Sequence, residues 1–436
     1  MGSKFTKNIS WIFFGNFAHA VLQFLLNIVC ARSFGTENFG LINYGSSLIA
    51  FFTAIATLGF NGVITKFFAM HPDKAGDYIG TSNIFRFVVS SVSVVVLQII
   101  VCFLDNADSE IRLIVFCQSL QIVFASFDSF VYWYRFKSEA KTVAIFRLVA
   151  FFISAAWKLI AILVFHNVVL YVIGVSLETG FFVLLQYIQY KKQYNQYRLR
   201  FSTSVLKKML RISYPFIISS ILVTVYAQTD KIMLKGMVSI SAVGLYSVSL
   251  TLAAVISIVP QALIEGFRPD ILTFKLSSPE KYRQRMQQLY GSVFWICVVY
   301  CIFMTLLAKP IIMILYGEQY LGAVPSLSIV VWYVTFSYFG SINNVYMVAE
   351  DKTKWVQISA FAGALINILL NALMIPRWDI VGAATASLVT QFLANFVMLL
   401  IIPSLRDAAK MMIEGILLKG FKGVSVKAVL KGLIKR

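Results

Sequence analysis

Seven ionisable side chains lie within long apolar runs or at their ends: His19, Arg86, Asp128, Lys158, Glu178, Asp230 and Lys231. Charge at the centre of a lipid-spanning helix costs about 3 kcal/mol or more, so such residues pair with one another or line a polar path. Leaving His19 aside, three are basic and three acidic, and their charges cancel. Asp230 and Lys231 are adjacent inside one membrane-length run, Tyr214–Leu234. Depth follows from hairpin corners at about 1.5 Å per helical residue. Arg86 and Asp128 lie equally far from a corner near Asn106, and Lys158 and Glu178 equally far from a corner at Asn167. Two cross-hairpin ion pairs are therefore expected. Their chemistry reads two ways: pairs that glue helices together, or a hydrated cavity whose cations meet an anionic head group. His19, Asp128 and Glu178 are the candidates for proton or ion coupling, although a lone His on a helix face is more often structural.

Other chemistry is missing. The sequence has no GxxxxGK[ST] phosphate loop, no HExxH and no GxSxG. Its three histidines, His19, His71 and His166, make no metal site, and its five cysteines all fall in apolar runs without a CxxC pair. No metal, cofactor, nucleic-acid partner or enzymatic activity is expected. Energy for any transport would come from gradients or from the fate of the substrate.

The elements that must position these charges are membrane helices. The 436 residues are 59% hydrophobic and only 13% charged, against about a quarter charged in soluble domains. Twelve apolar segments approach the roughly twenty residues a span requires: 11–31, 41–60, 83–104, 113–134, 143–165, 168–190, 214–234, 242–263, 289–306, 323–348, 356–375 and 380–402. With the N-terminus inside, 30 of the 38 Lys and Arg fall on cytoplasmic segments, five outside and three within the membrane. Both termini are then cytoplasmic. The first apolar run is too long for a signal-peptide core, and no clear cleavage site follows it. External loops are short, which leaves no room for the outer domain of a sugar polymerase or transferase.

The two halves echo each other. Phe39-Gly40-Leu41 parallels Val243-Gly244-Leu245, Ile9-Ser10-Trp11 parallels Ile212-Ser213-Tyr214, and Val172-Ile173-Gly174-Val175 parallels Ile380-Val381-Gly382-Ala383, all at nearly constant offset. A 6+6 duplication in parallel orientation is expected. It gives an N-terminal six-helix bundle over 1–200, a C-terminal one over 201–404 and a basic amphipathic cytoplasmic tail over 405–436. The tail reads as a helix lying on an anionic inner leaflet.

Several of these stretches resemble a known family. Arg32-Ser33-Phe34-Gly35-Thr36-Glu37-Asn38-Phe39-Gly40-Leu41 is similar to the loop after the first helix in polysaccharide flippases of the multidrug/oligosaccharidyl-lipid/polysaccharide exporter superfamily. Thr229-Asp230-Lys231 with Val243-Gly244-Leu245-Tyr246 resembles that family's seventh-to-eighth helix signature. Asn344–Lys354, and Pro376 with Ile380-Val381-Gly382-Ala383-Ala384, resemble its later ones. The resemblance implies an all-α polytopic protein of the multidrug-extrusion-like fold, with twelve helices in two bundles around a central cavity. It implies flipping of undecaprenyl-pyrophosphate-linked oligosaccharide, O-antigen or a related polysaccharide unit of lipopolysaccharide biosynthesis. The cargo would move from the cytoplasmic to the outer leaflet of the bacterial inner membrane by alternating access. It also implies membrane lipids and the polymerase and chain-length regulator of the same pathway as partners, and it adds Arg32 and Asp230 to the cavity charges as site residues. The competing reading is an ion-coupled multidrug or cation antiporter on the same fold. Cationic cavity walls favour the first and acidic, aromatic walls the second. The neutral intramembrane tally does not decide; Arg32, Arg147 and Arg268 at the expected mouths tilt toward the first. Within it, Arg86 is expected to receive the pyrophosphate, because its fork of donors suits that group.

Overall fold

The computed structural model describes residues 2–104 and 108–421. The described residues are helical, without strands. The first nine helices are α1 (Gly2–Ala56), α2 (Asn61–Met70), α3 (Ala75–Leu104), α4 (Ser109–Ala125), α5 (Ser129–Phe136), α6 (Ala140–Leu163), α7 (Val168–Gln193), α8 (Thr203–Met237) and α9 (Ile240–Ala253). Then follow α10 (Ile258–Ser277), α11 (Pro279–Leu306), α12 (Ala308–Leu315), α13 (Val324–Ala349), α14 (Lys354–Phe392), α15 (Met398–Ile401) and α16 (Arg406–Ile416).

Ten helical stretches among the described residues are long and apolar enough to cross a membrane. The twelve expected segments map onto them, two stretches holding two segments each. One is Gly15–Met70, 56 residues, which at 1.5 Å per residue would run about 84 Å if straight, far beyond a hydrocarbon core of about 30 Å. It is interrupted at Gly35, where φ is 75° and ψ 178°. The other, Lys354–Ile401, is interrupted at Asp379. The expected corner near Asn106 lies outside the described residues. Just after it Asp108 accepts from the Glu110 and Ile111 amides at the start of α4, and at the expected corner Asn167 accepts from the Leu170 amide at the start of α7. Each such cap is worth about 1 kcal/mol. All five cysteines are free thiols.

Two compact units result: Met1–Leu245 with Leu315–Gln319, and Tyr246–Ile314 with Tyr320–Arg436. The packing thus divides the chain elsewhere than the expected boundary at 200/201, because α8 and the start of α9 pack with α1. Glycine is the reason. A Cβ on Gly40 would lie 2.0 Å from the Ile240 carbonyl oxygen, and a Cβ on Gly244 2.1 Å from that of Thr36. The contact is reciprocal: Thr36 and Gly40 of α1 meet Ile240 and Gly244 of α9. The third echoed motif also carries close-packing glycines. A Cβ on Gly174 would touch the Trp157 and Lys158 side chains, and one on Gly382 the Met374 carbonyl. The side chains of Ile9 and Ser10, in the remaining motif, lie outside the described residues.

One end of the first unit is closed by aromatic rings. Trp133, fully buried, meets Phe68 at 5.1 Å, Tyr197 at 5.2 Å and Tyr194 at 5.6 Å between centroids, with the Lys137 ammonium 4.6 Å over its ring. Such ring pairs contribute about 0.5–1.5 kcal/mol each beyond burial.

In the second unit α16 packs on α11. Ala408, Ala409, Met411 and Met412 are buried, and a Cβ on Gly415 would lie 2.5 Å from the Gln287 carbonyl. Arg283 donates to Asp407 (3.1 Å) and Glu414 (2.9 Å), and Gln287 donates to Glu414 (2.7 Å). The Arg283 bond holds the Glu414 carboxyl below its ordinary range, so it stays ionised at neutral pH. The apolar face of this helix therefore covers α11, not lipid. Amphipathicity announced a buried face without naming its partner. The rest of the expected tail, 422–436, lies outside the described residues.

The glycine crossing yields a test. Gly40→Val or Gly244→Val should remove most folded protein from the membrane, read as the monodisperse peak after detergent extraction. Gly236→Ala, where nothing lies within 4 Å of the added carbon, should be neutral or raise it. Normal yield from both valine variants would show that the crossing is dispensable.

Candidate functional site

Both ion pairs expected from depth are formed. Arg86 on α3 is 1% exposed, and each of its three guanidinium nitrogens donates to a protein acceptor. Nη1 binds the Asp128 carboxylate, Nη2 donates to the Ala125 carbonyl (3.0 Å) and Nε to that of Ala56 (3.4 Å). These two carbonyls have a meaning. Ala56 is the last residue of α1 and Ala125 the last of α4, and the next helices start at Asn61 and Ser129. Leu58 and Gly59 adopt positive φ in the first interruption. A helix end leaves carbonyls unpaired and carries partial negative charge. Arg86 therefore closes two helix ends at once, with Asp128 neutralising it from the second break. The donor fork expected to face an anionic ligand is spent on protein acceptors.

The second cluster joins three helices of the first unit. Lys158 Nζ on α6 lies 2.7 Å from Glu178 Oε2 on α7, and His19 Nε2 on α1 lies 2.8 Å from Oε1 of the same carboxylate. A carboxylate only accepts, so His19 Nε2 carries the hydrogen. Ser154 Oγ adds a bond of 3.3 Å to Oε2. Arg147, nearby on α6, donates to Asn16 (2.9 Å).

The remaining sequence candidates join neither cluster. Asp230, 5% exposed, and Lys231 sit in the last two turns of α8. Lys231 Nζ lies 3.4 Å from Gln228 Oε1, which also accepts from Ser47. Arg32 is exposed one turn before Gly35, and its carbonyl accepts from Gln319. Arg268 pairs with Glu265 at 3.3 Å.

Between α1, α4, α7 and α8 lies a pocket of about 440 Å³ that the sequence reading did not single out. Its polar wall is Ser46 and Thr53 of α1, Thr57 just past its end, Asn61 of α2, Gln121 of α4, and Ser220 and Thr224 of α8. The hydroxyl hydrogens of Ser46, Thr57 and Thr224 go to carbonyls of their own helices. Gln121 Nε2 likewise donates to the Gln118 carbonyl, and Asn61 Oδ1 is buried without a partner. The pocket is thus lined by hydroxyl and carboxamide groups. The signal was present as spacing: positions 46, 53 and 57 share one helical face, as do 220 and 224. A second crevice, about 620 Å³, is apolar and walled by Phe124, Phe127 and Phe130 on either side of the α4–α5 break, with Phe181 of α7 opposite.

Lys158→Ala and Glu178→Ala should each cut membrane abundance several-fold, since breaking a buried pair costs about 3–5 kcal/mol. The double variant should recover relative to either single. Equal loss in all three would show that the pair is not coupled.

Known proteins share this architecture. The lipid II flippase MurJ, in an inward closed conformation, superposes with a TM-score of 0.67 at 13% identity, over 97% of this chain and 96% of its own. An inward-facing multidrug resistance MATE family transporter of the MOP superfamily gives 0.67 at 11%, over 92% and 95%. At such identities the likeness establishes the fold. In sequence, the capsular polysaccharide biosynthesis protein CapF of Staphylococcus aureus is 21% identical over 403 residues, 89% of this chain and 96% of its own. The family described as polysaccharide biosynthesis protein matches residues 5–264, more than half of the chain. This multi-pass membrane protein belongs to the polysaccharide biosynthesis protein family, on the fold of the MOP exporters.

Proposed function

We propose that this protein moves a lipid-linked oligosaccharide, a surface-polysaccharide repeat unit on undecaprenyl pyrophosphate, from the cytoplasmic to the outer leaflet of the inner membrane by alternating access. The observation that carries the reading is the polar pocket inside an apolar bundle. Sugar hydroxyls both donate and accept, and a wall of Ser and Thr hydroxyls with the Asn61 and Gln121 carboxamides complements them. The capsular role in the name of the Staphylococcus aureus relative supports the same cargo class. The aromatic crevice beside Phe127 suits the apolar chain of the carrier lipid, because its walls carry almost no polar atoms. In this reading both termini are cytoplasmic, which the distribution of Lys and Arg supports.

The uncharged polar wall also suits an organic cation, which keeps the antiporter as a second reading. In that reading Glu178, shared between His19 and Lys158, is the coupling carboxylate.

The readings separate in a flippase-null strain. At matched membrane abundance, Asn61→Leu with Gln121→Leu should lower surface polysaccharide about tenfold, since each lost hydrogen bond to cargo is worth about 0.5–1.5 kcal/mol. Resistance to cationic dyes should not change. Full export by the double variant, or a change in dye resistance alone, contradicts the flippase reading.

A further inference from the structure

Docking α16 on α11 uses one face of the short helix. Its opposite face carries Arg406, Lys410, Ile413 and Leu417, spaced so that all four share one stripe, and all four are exposed. Cations occupy the start of the stripe and aliphatic side chains its end. A pocket of about 480 Å³ opens beside it, bounded by Leu400 of α15, Arg406, Lys410 and Ile413 of α16, and Lys419 just beyond.

We propose that this pocket holds the head group of an anionic glycerophospholipid of the inner leaflet, with its acyl chains against Leu400, Ile401, Ile413 and Leu417.

Three observations support this. The first is depth: the last spanning stretch ends at Ile401 and α16 begins at Arg406, so the pocket lies at the edge of the bilayer. The second is charge. Three cations line the pocket against one carboxylate, Glu414, and that carboxylate is already held by Arg283 and Gln287. Lys419 Nζ stands 3.9 Å from it, too far for a hydrogen bond. Arg406 uses Nε on the Leu400 carbonyl (3.1 Å), which fixes the side chain and leaves its two terminal nitrogens with no acceptor among the described residues. A positioned, unspent guanidinium edge beside two lysines is a phosphate-binding arrangement. The third is the aliphatic half of the stripe. Leu400, Ile401 and Leu417 are exposed next to the cations, and Ile401 is 68% exposed. A soluble phosphate or an acidic peptide would leave these side chains in water, whereas an amphiphile with an anionic end covers both halves. The expected lipid contact of the tail thus survives in another form: the buried face binds protein and the residual stripe binds lipid. The site stands apart from the cargo path and does not depend on which substrate is moved.

The test uses the full-length protein in detergent. Native mass spectrometry would follow the bound fraction as phosphatidylglycerol or phosphatidylcholine is titrated in. Wild type should retain phosphatidylglycerol at least tenfold more tightly than phosphatidylcholine. Lys410→Glu with Lys419→Glu should abolish that preference, since each basic residue near an anionic surface is worth about fivefold. Lys309→Glu, an exposed charge remote in sequence, should leave it intact. Ile413→Asn with Leu417→Asn keeps the cations and should still weaken lipid retention several-fold. Hydrogen exchange over 406–416 checks that α16 stays docked in every variant. Equal retention of the two lipids by wild type overturns the proposal. So does displacement of phosphatidylglycerol by millimolar inorganic phosphate, or a preference that survives in the Lys410/Lys419 variant with α16 docked.

Discussion

Where α1 and α9 cross, two backbone carbonyls occupy the space that two Cβ atoms would fill. That constraint organises the first unit. Only glycine permits the approach of Gly40 to Ile240 and of Gly244 to Thr36, at 2.0 and 2.1 Å from the missing carbons. The two contacts are reciprocal, each glycine meeting a carbonyl of the other helix. The close approach holds α8 and the beginning of α9 in the first compact unit. α8 supplies Ser220 and Thr224 to a pocket whose other walls come from α1, α2, α4 and α7. The glycine crossing thus keeps one wall of the polar pocket in place.

The buried charges serve the same bundle in two ways. Arg86 is consumed by the ends of α1 and α4 and by Asp128. It stabilises interrupted helices, which in lipid would otherwise expose unpaired carbonyls at a cost of several kcal/mol each. Glu178 is instead shared, one oxygen to Lys158 and one to His19, and so ties α7 to both α6 and α1. Neither arrangement presents a free cation to a pyrophosphate in this state. Recognition of cargo is better carried by the hydroxyl and amide oxygens of the pocket.

Much of this was legible in the sequence, for reasons that differ by feature. The apolar runs, the corner at Asn167, and the pairings Arg86–Asp128 and Lys158–Glu178 follow from hydropathy and from counting residues along helices. The break at 126–128 was hidden inside the expected segment 113–134, because Asp128 read as a pairing charge, and the break at 57–60 passed as the end of the segment 41–60. Leu58 and Phe127 look like any other membrane residues. The pocket was hidden because a Ser or Thr whose hydroxyl bonds to its own helix is nearly neutral in a hydropathy scan. Only the shared face of Ser46, Thr53 and Thr57 betrays it. The tail helix was recognised as amphipathic, but the Gly291–Gly415 approach that seats it on α11 depends on two residues far apart in sequence.

The central claim is that a polar pocket built by a membrane bundle carries sugar across lipid. The most direct measurement places the purified protein in vesicles with a fluorescent oligosaccharide on a short polyprenyl pyrophosphate. Accessibility of the outer leaflet to a membrane-impermeant quencher or glycosidase is then followed in time. The account predicts rapid transbilayer movement of the glycan-bearing lipid in protein-containing vesicles only, slowed at least tenfold by Asn61→Leu with Gln121→Leu. Movement no faster than in protein-free vesicles, while an organic cation is exchanged for protons by the same preparation, would contradict it.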